Sequence, residues 1–318
     1  MQYFGEAFIE ALPRHIEQLR IPQRATSRVS CREPLSTQIK QVTETQKIMF
    51  EVLRHPITQE AQRHTENSFE ALLLKEDPDV AVLKFFNGWN ETHKTTSLVS
   101  AKIIMRLSAD MISAPEEKRL EYNHAMAHMY EVAKDDFGLG HVGHDGMYCF
   151  MTAAFGATRW TDSSYRVRAC NEFSDFLHDV GVAEHKAALE SAEHTQAIMD
   201  AMMVSIASEL WNGREYNFIA QHIQTKLVAM EPGLRNDPVG LRNAKGYVVG
   251  HAGEVENRHG LHALAAAHAF GDATGRPFDI YRLRTVMLDY NQRVGRAFSE
   301  LHASLALEEM SQSPAQVN

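Results

Sequence analysis

Residues 246–271 read GYVVGHAGEVENRHGLHALAAAHAFG. Alanine, valine and leucine dominate the stretch, which is predicted to be one helix. It nevertheless carries His251, Glu254, Glu256, His259, His262 and His268. A helix that is apolar nearly all round belongs inside a larger assembly of helices. Acids and imidazoles buried there need partners, because an unpaired buried polar group is costly. The stretch therefore implies a helical bundle around it, with partners for its titratable groups supplied from elsewhere in the chain.

The rest of the sequence supplies those helices. Long segments with a 3.6-residue apolar period include EAFIEALPRHIEQL (6–19), LSTQIKQVTETQKIMFEVLRH (35–55), VAVLKFFNGWNETHKTTSLVSAKIIMRLSADMI (80–112) and QAIMDAMMVSIASELW (196–211). Strand-like alternation is scarce, and there is no internal repeat. Ser113-Ala114-Pro115-Glu116 has the form of a capping box. Breaks are expected at Gly138–Gly143, at EPGLRNDPVG (231–240) and at FGDATGRPFD (270–279), and MSQSPAQVN reads as a frayed tail. The expected architecture is all-α: a helical extension over residues 1–75 and a helical core over 76–310.

A chain of 318 residues can bury a large core, and its net charge of −9 argues against nucleic acid or an anionic membrane as the main partner. The three cysteines, Cys31, Cys149 and Cys170, are far apart with no CxxC, so neither a disulfide framework nor a zinc ribbon is indicated. The N-terminus lacks the basic segment and apolar run of a signal peptide, and no apolar run approaches the roughly 18 residues of a membrane span. A soluble cytoplasmic protein is expected. Histidine is plentiful at 17. GLGHVG (138–143) matches the dinucleotide fingerprint literally, but a charged helical segment precedes it instead of a buried strand, so no such site is expected.

Two patterns could grip metal. Glu-x-x-His places a carboxylate and an imidazole about 60° apart on a helix, and it occurs as Glu121/His124 and Glu256/His259. Lone glutamates stand on two other apolar helices, Glu91 in FFNGWNETH and Glu209 in SIASELW. Two lone glutamates plus two Glu-x-x-His pairs is a di-iron carboxylate set, although such pairs also arise on solvated faces of His-rich helices. The second pattern is His251, Glu256 and His259, at spacings of +5 and +8. On a regular helix these spread over about 140°. A π-bulge near Gly250 or Gly253 would bring them onto one stripe. The same triad would also serve a mononuclear iron.

YVVGHAGEVENRHGLHA (247–263) resembles the last core helix of the heme-oxygenase-like di-iron oxidases and oxygenases. DDFGLGHVGHDGMYCFMTAAFGA (135–157) is similar to that family's second-helix signature. The likeness covers roughly residues 80–270 and implies a heme-oxygenase-like bundle. By it the ligands are Glu91, Asp136, His144, Glu209, His251, Glu256 and His259, with Glu209 as the bridging acid. The sequence departs from the family in three places: Asp136 stands for a glutamate, its spacing to His144 is shorter, and the last motif has one extra residue. Four carboxylates would balance two Fe(II) ions, and such mixed nitrogen and oxygen donors suit iron or manganese.

The resemblance implies an O2-activating non-heme di-iron oxygenase of specialised metabolism, with O2 as co-substrate, a small-molecule substrate and an external electron donor. The family's N-oxygenating members carry an extra carboxylate in the second core helix, a role open to Asp136 or Glu131. N-oxygenation of an amine or amino-acid side chain is therefore the expected reaction. Desaturation or C–C cleavage of an amino or fatty acid is the alternative within the family. A metal-free helical binding module and a ferritin-like site using Glu121 and His124 are the alternatives outside it. A homodimer is compatible with all of these.

Overall fold

The structure, a computed structural model, describes residues 4–21, 39–137, 143–189 and 191–312. Thirteen α-helices occupy most of that chain: α1 (Glu6–Glu10), α2 (Leu12–Gln18), α3 (Val42–Arg54), α4 (Pro56–Leu74), α5 (Val80–Ser113), α6 (Arg119–Asp136), α7 (His144–Ala154), α8 (Arg168–Gly181), α9 (Ala192–Ala220), α10 (Ile223–Met230), α11 (Pro238–His251), α12 (Val255–Thr274) and α13 (Ile280–Gln312). Among the described residues there is no strand, so the all-α expectation holds. No helix there is long and apolar enough to cross a membrane.

Side chains set many of the boundaries. Asp79 accepts from Val82 N at the start of α5, Ser191 from His194 N at the start of α9, and Asp237 from Val239 N and Gly240 N at the start of α11. Gly275 closes α12 in the left-handed conformation at φ +70°. The capping box at Ser113 does not form. α5 runs through Ser113, Pro115 is extended, and α6 begins only at Arg119 without a side-chain cap. Pro13 cannot give a backbone N–H to Ile9, and the expected helix over 6–19 divides at Ala11. Of the expected helix over 35–55, residues 35–38 lie outside the described residues, and within the rest α3 starts at Val42, after Gln41 in a left-handed conformation. Residues 138–142 of the glycine-rich stretch lie outside the described residues, and Gly143 precedes α7 directly.

α12 is the central helix. From Glu256 to Gly271 only Arg258 is exposed, and its alanines let α6 and α9 lie close on either side. α9 is likewise buried from Ala201 to Gly213. α13 packs against α4, α5, α8 and α9, and α7 lies on α11. The segment expected as an extension thus joins the bundle through α3 and α4, both laid on α13.

The stretch 246–271 is not one helix. α11 ends at His251, three residues turn, and α12 starts at Val255. Gly253 sits at φ +84°, a conformation that suits glycine. Asn217 of α9 clamps the turn, accepting from Gly253 N at 2.9 Å and donating to Gly253 O at 3.0 Å. The irregularity lies where a π-bulge was expected, but it is a complete break.

Two of the surplus histidines find each other. Nδ1 of His128 on α6 and Nδ1 of His262 on α12 are 2.9 Å apart and buried. Burial pushes His128 down to about 4 and His262 to about 2, each lowered further by a neighbouring histidine. Both stay neutral when folded but take protons below about 6.5 when unfolded. Their contribution to stability is therefore intact above pH 6.5 and is lost as pH falls through about 4 and on towards 2. Each contributes a slope of up to ~1.4 kcal/mol per pH unit. Urea unfolding between pH 7.5 and 4.5 should show a shallower loss in the His128→Leu/His262→Leu protein than in the natural one; equal slopes would mean that the pair is charged.

Candidate metal centre

α9 and α12 cross closely because each meets the other with a glycine. A Cβ on Gly213 would lie 2.8 Å from Asn257 Oδ1 and 3.3 Å from Glu256 Cβ, and one on Gly260 would lie 2.8 Å from Leu210 Cδ2. The crossing sets Glu209 of α9 against Glu256 and His259 of α12. One ligand atom from each of these buried residues lies within 4.8 Å of the others, a group able to hold a metal ion. His259 Nδ1 is 3.5 Å from Glu209 Oε2 and 3.6 Å from Glu256 Oε2. Its Nε2 is 3.2 Å from Asp135 Oδ2, at the end of α6.

A second row of donors adjoins the first. His144, the first residue of α7, has Nε2 3.2 Å from Asp136 Oδ1 and in close contact with Nε2 of His251. His251 Nδ1 donates to the Tyr247 carbonyl at 2.5 Å, so its Nε2 lone pair is the one that faces His144. The break after His251 makes this possible. It frees the imidazole from the direction of α12 and lets it meet α7, while Glu256 and His259 remain with α9.

Six of the seven expected ligands therefore come together. Glu91 does not. It lies partly buried, with Lys94 Nζ at 2.7 Å, and its charge reaches Cys170 of α8 instead. Trp89 and His93, four apart on α5, turn inward, and a residue midway between them necessarily faces another side. Glu121 and His124 lie on the same helix as Asp136, roughly 20 Å away along its axis at 1.5 Å per residue. They are not part of this group. Glu131 is buried beside Lys134 Nζ at 2.5 Å. The residue that sequence reasoning missed is Asp135, which sits next to Asp136 with nothing in DDFG to say which acid turns where.

Burial and crowding shift the titration of these groups. Burial, reinforced by Glu256, pushes the Glu209 carboxyl up to about 8, against the pull of His259. Burial, with Glu209 and Glu256 nearby, holds Asp136 well above the usual carboxylate range. Burial opposes charge on His259, but Asp135, Glu209 and Glu256 outweigh it and raise that imidazole well above its ordinary value. Asp135 is lowered by its hydrogen bond with His259. Burial pushes His251 down to about 4, leaving it a neutral donor. Asp135, Asp136, Glu209 and Glu256 place four carboxyls around three imidazoles, buried on the α9/α12 side and partly accessible at Asp135 and His144. The donors are oxygen and imidazole with no thiolate among them, a set that fits divalent first-row metals.

A cavity of about 360 Å³ reaches this centre through Asp135 and His251. Met147, Phe150 and Val255 give it an apolar wall, and Arg242 and Arg258 stand at its edge. Among the described residues neither guanidinium has an ion pair or a side-chain hydrogen bond, and both are exposed. Comparison with known protein families, characterised proteins and solved structures finds no match.

Proposed function

We propose that this centre holds two iron ions and that the protein is an O2-dependent non-heme oxygenase with a heme-oxygenase-like bundle. The observation that carries the reading is the convergence of two donor sets, Glu209/Glu256/His259 and Asp136/His144/His251, behind a cavity that Asp135 and His251 line. Each set would hold one ion. Asp135 replaces the missing charge of Glu91, so four carboxylates still match two ferrous ions. When bound, ferrous iron supplies the electrons that reduce dioxygen.

The chain's own residues prepare the rest. Asp135 accepts from His259 Nε2 and directs Nδ1 towards the two glutamates; the Tyr247 carbonyl does the same for His251. Leu210, Ala263 and their buried neighbours exclude water from the α9/α12 side. Arg242 and Arg258 suit the anionic end of a substrate whose apolar part lies on Met147 and Phe150. An amine in such a molecule, an amino acid for instance, would be N-oxygenated with one oxygen atom of O2. The other leaves as water, with two electrons from an external donor and two protons.

Anaerobic loading with ferrous iron tests the reading. About two irons per chain are expected. His144→Ala should lose iron and O2 consumption, because a missing imidazole leaves its ion under-coordinated, while His124→Ala should keep both. A folded protein that binds no iron sinks the proposal and leaves a metal-free binding module. Iron loss in His124→Ala alone would move the site to Glu121 and His124.

A further inference from the structure

Behind the centre lies a buried carboxylate that the proposed reaction does not use. The Glu215 side chain is 0% exposed. Trp89 Nε1 donates to its Oε1 at 2.5 Å, His93 Nε2 lies 2.8 Å from the same oxygen, and Trp211 Nε1 donates to Oε2 at 3.2 Å. Among the described residues no lysine or arginine pairs with it. A buried carboxylate is costly to desolvate, and packing alone would be met by a neutral side chain of the same shape. Two indole N–H groups on one carboxylate make a different kind of site. An indole that loses an electron becomes a strong N–H acid, and Glu215 is placed to take that proton from either ring.

The aromatic rings connect this site to the centre and to the surface. Tyr247 is 5.5 Å between centroids from the candidate ligand His251, and Trp89 is 5.7 Å from Tyr247. Tyr216 donates to the Tyr247 hydroxyl at 2.8 Å and lies 5.0 Å from His251 on its other side. At the far end Trp211, 4% exposed, floors a small notch between α4 and α9 that Glu66 and Arg214 border. Phenylalanines 69, 85 and 86 jacket the path, and their rings are far harder to oxidise.

We propose that Tyr247, Trp89, Glu215 and Trp211 form an electron path by which the centre, oxidised by O2 with no substrate present, is discharged from the surface. It rests on the reading of the centre as a metal site that activates O2. Trp89 gives one electron to the centre by way of Tyr247, and its Nε1 proton moves to Glu215 Oε1. Trp211 then gives one electron to Trp89, the proton returns from Oε1 to Trp89, and the Trp211 proton passes to Oε2. A one-electron donor of the ascorbate or thiol class, docked on the surface over the notch, reduces Trp211, and Glu215 returns the proton. Each cycle removes one oxidising equivalent and oxidises one donor molecule by one electron.

Photo-oxidation of the metal-free full chain tests the pair without iron. The sequence has three tryptophans, and Trp160→Phe leaves Trp89 and Trp211 as the sole source of indole signals. A flash-excited ruthenium polypyridyl oxidant should then yield a deprotonated indolyl radical that ascorbate quenches. Adding Glu215→Gln should leave the protonated radical cation, and adding Trp211→Phe should remove the signal. Melting curves and circular dichroism establish that each variant is folded. No radical in the Trp160→Phe protein, or the same radical form with Glu215→Gln, overturns the proposal. In the second arm the iron-loaded protein meets O2 without substrate and is freeze-quenched for electron paramagnetic resonance. An indolyl radical is expected, lost in Trp89→Phe at unchanged iron content. Its absence from a protein that binds iron and consumes O2 overturns the path to the centre. A chain that binds no iron fails the metal reading instead, and the photochemical arm alone then decides the tryptophan pair.

Discussion

Glu209→Gln should make the metal-free protein more stable and the iron-loaded protein less stable than the natural chain. The Glu209 carboxyl is pushed up to about 8, first by burial and then by Glu256. An acid whose folded pKa lies above its unfolded value weakens the fold. The penalty starts near the unfolded pKa of 4.5, grows with pH, and levels off above about 8. At pH 7 it is on the order of 3 kcal/mol. Glutamine keeps the shape and hydrogen-bonding capacity of the neutral acid and carries no such penalty, so the metal-free variant should gain most near pH 8 and nothing near pH 4.5. Ferrous iron reverses the order. A ligand at about a thousand times its Kd stabilises by ~4 kcal/mol, and an amide in place of a carboxylate removes one charge and one strong donor from the group. Anaerobic melting with and without ferrous iron reads both halves. Equal iron-induced shifts in the two proteins would remove Glu209 from the ligand set.

Local pattern carried most of the fold. α5 and α9 follow the 3.6-residue periodicity of their segments, and the break expected at residues 231–240 occurs over 231–237, with Pro238 already opening α11. The break at Gly253 was half legible: the glycine marked the place, but the turn is held by Asn217, some 36 positions earlier on another helix. Where a contact of that range decides a backbone conformation, periodicity cannot say whether a helix bulges or stops.

The same limit governed the site. Glu256, His259 and Glu209 were legible because acids and an imidazole stood out on helices otherwise apolar. Glu91 looked equivalent, since aromatic residues surround it, but the phase of α5 is set by Trp89 and His93, which point at Glu215 on α9. That pairing spans 122 positions in the case of His93 and leaves no local trace. Asp135 and Asp136 differ by one residue, or about 100° of rotation, and both reach the centre because α6 ends there. Helix ends relax the rule that neighbours face apart.

Gly260→Val and Gly213→Val should disturb the centre without removing any ligand, because they act on the approach of the two helices that build it. A side chain at 260 meets Leu210 at 2.8 Å from Cδ2 and 2.9 Å from Cγ, with Glu209 Cβ only 3.6 Å away. Leu210 is itself buried. A side chain at 213 meets Asn257 Oδ1 at 2.8 Å and Glu256 Cβ at 3.3 Å. Valine gains slightly over glycine in helix propensity, but overpacking a buried crossing costs about 1–3 kcal/mol. Relief can come only by parting α9 from α12, which draws Glu209 away from Glu256 and His259. Iron affinity should therefore fall by about 10-fold or more, the range seen when support around a metal ligand is lost. Gly250 supplies the contrast. It lies on the exposed face of α11 with nothing within 4 Å of its would-be Cβ, and Gly250→Ala should stabilise by roughly 0.5–1 kcal/mol with iron binding intact. Denaturation midpoints and iron titrations on the three variants separate these effects. If Gly213→Val and Gly260→Val keep natural iron affinity, the crossing of α9 and α12 is not what positions the ligands.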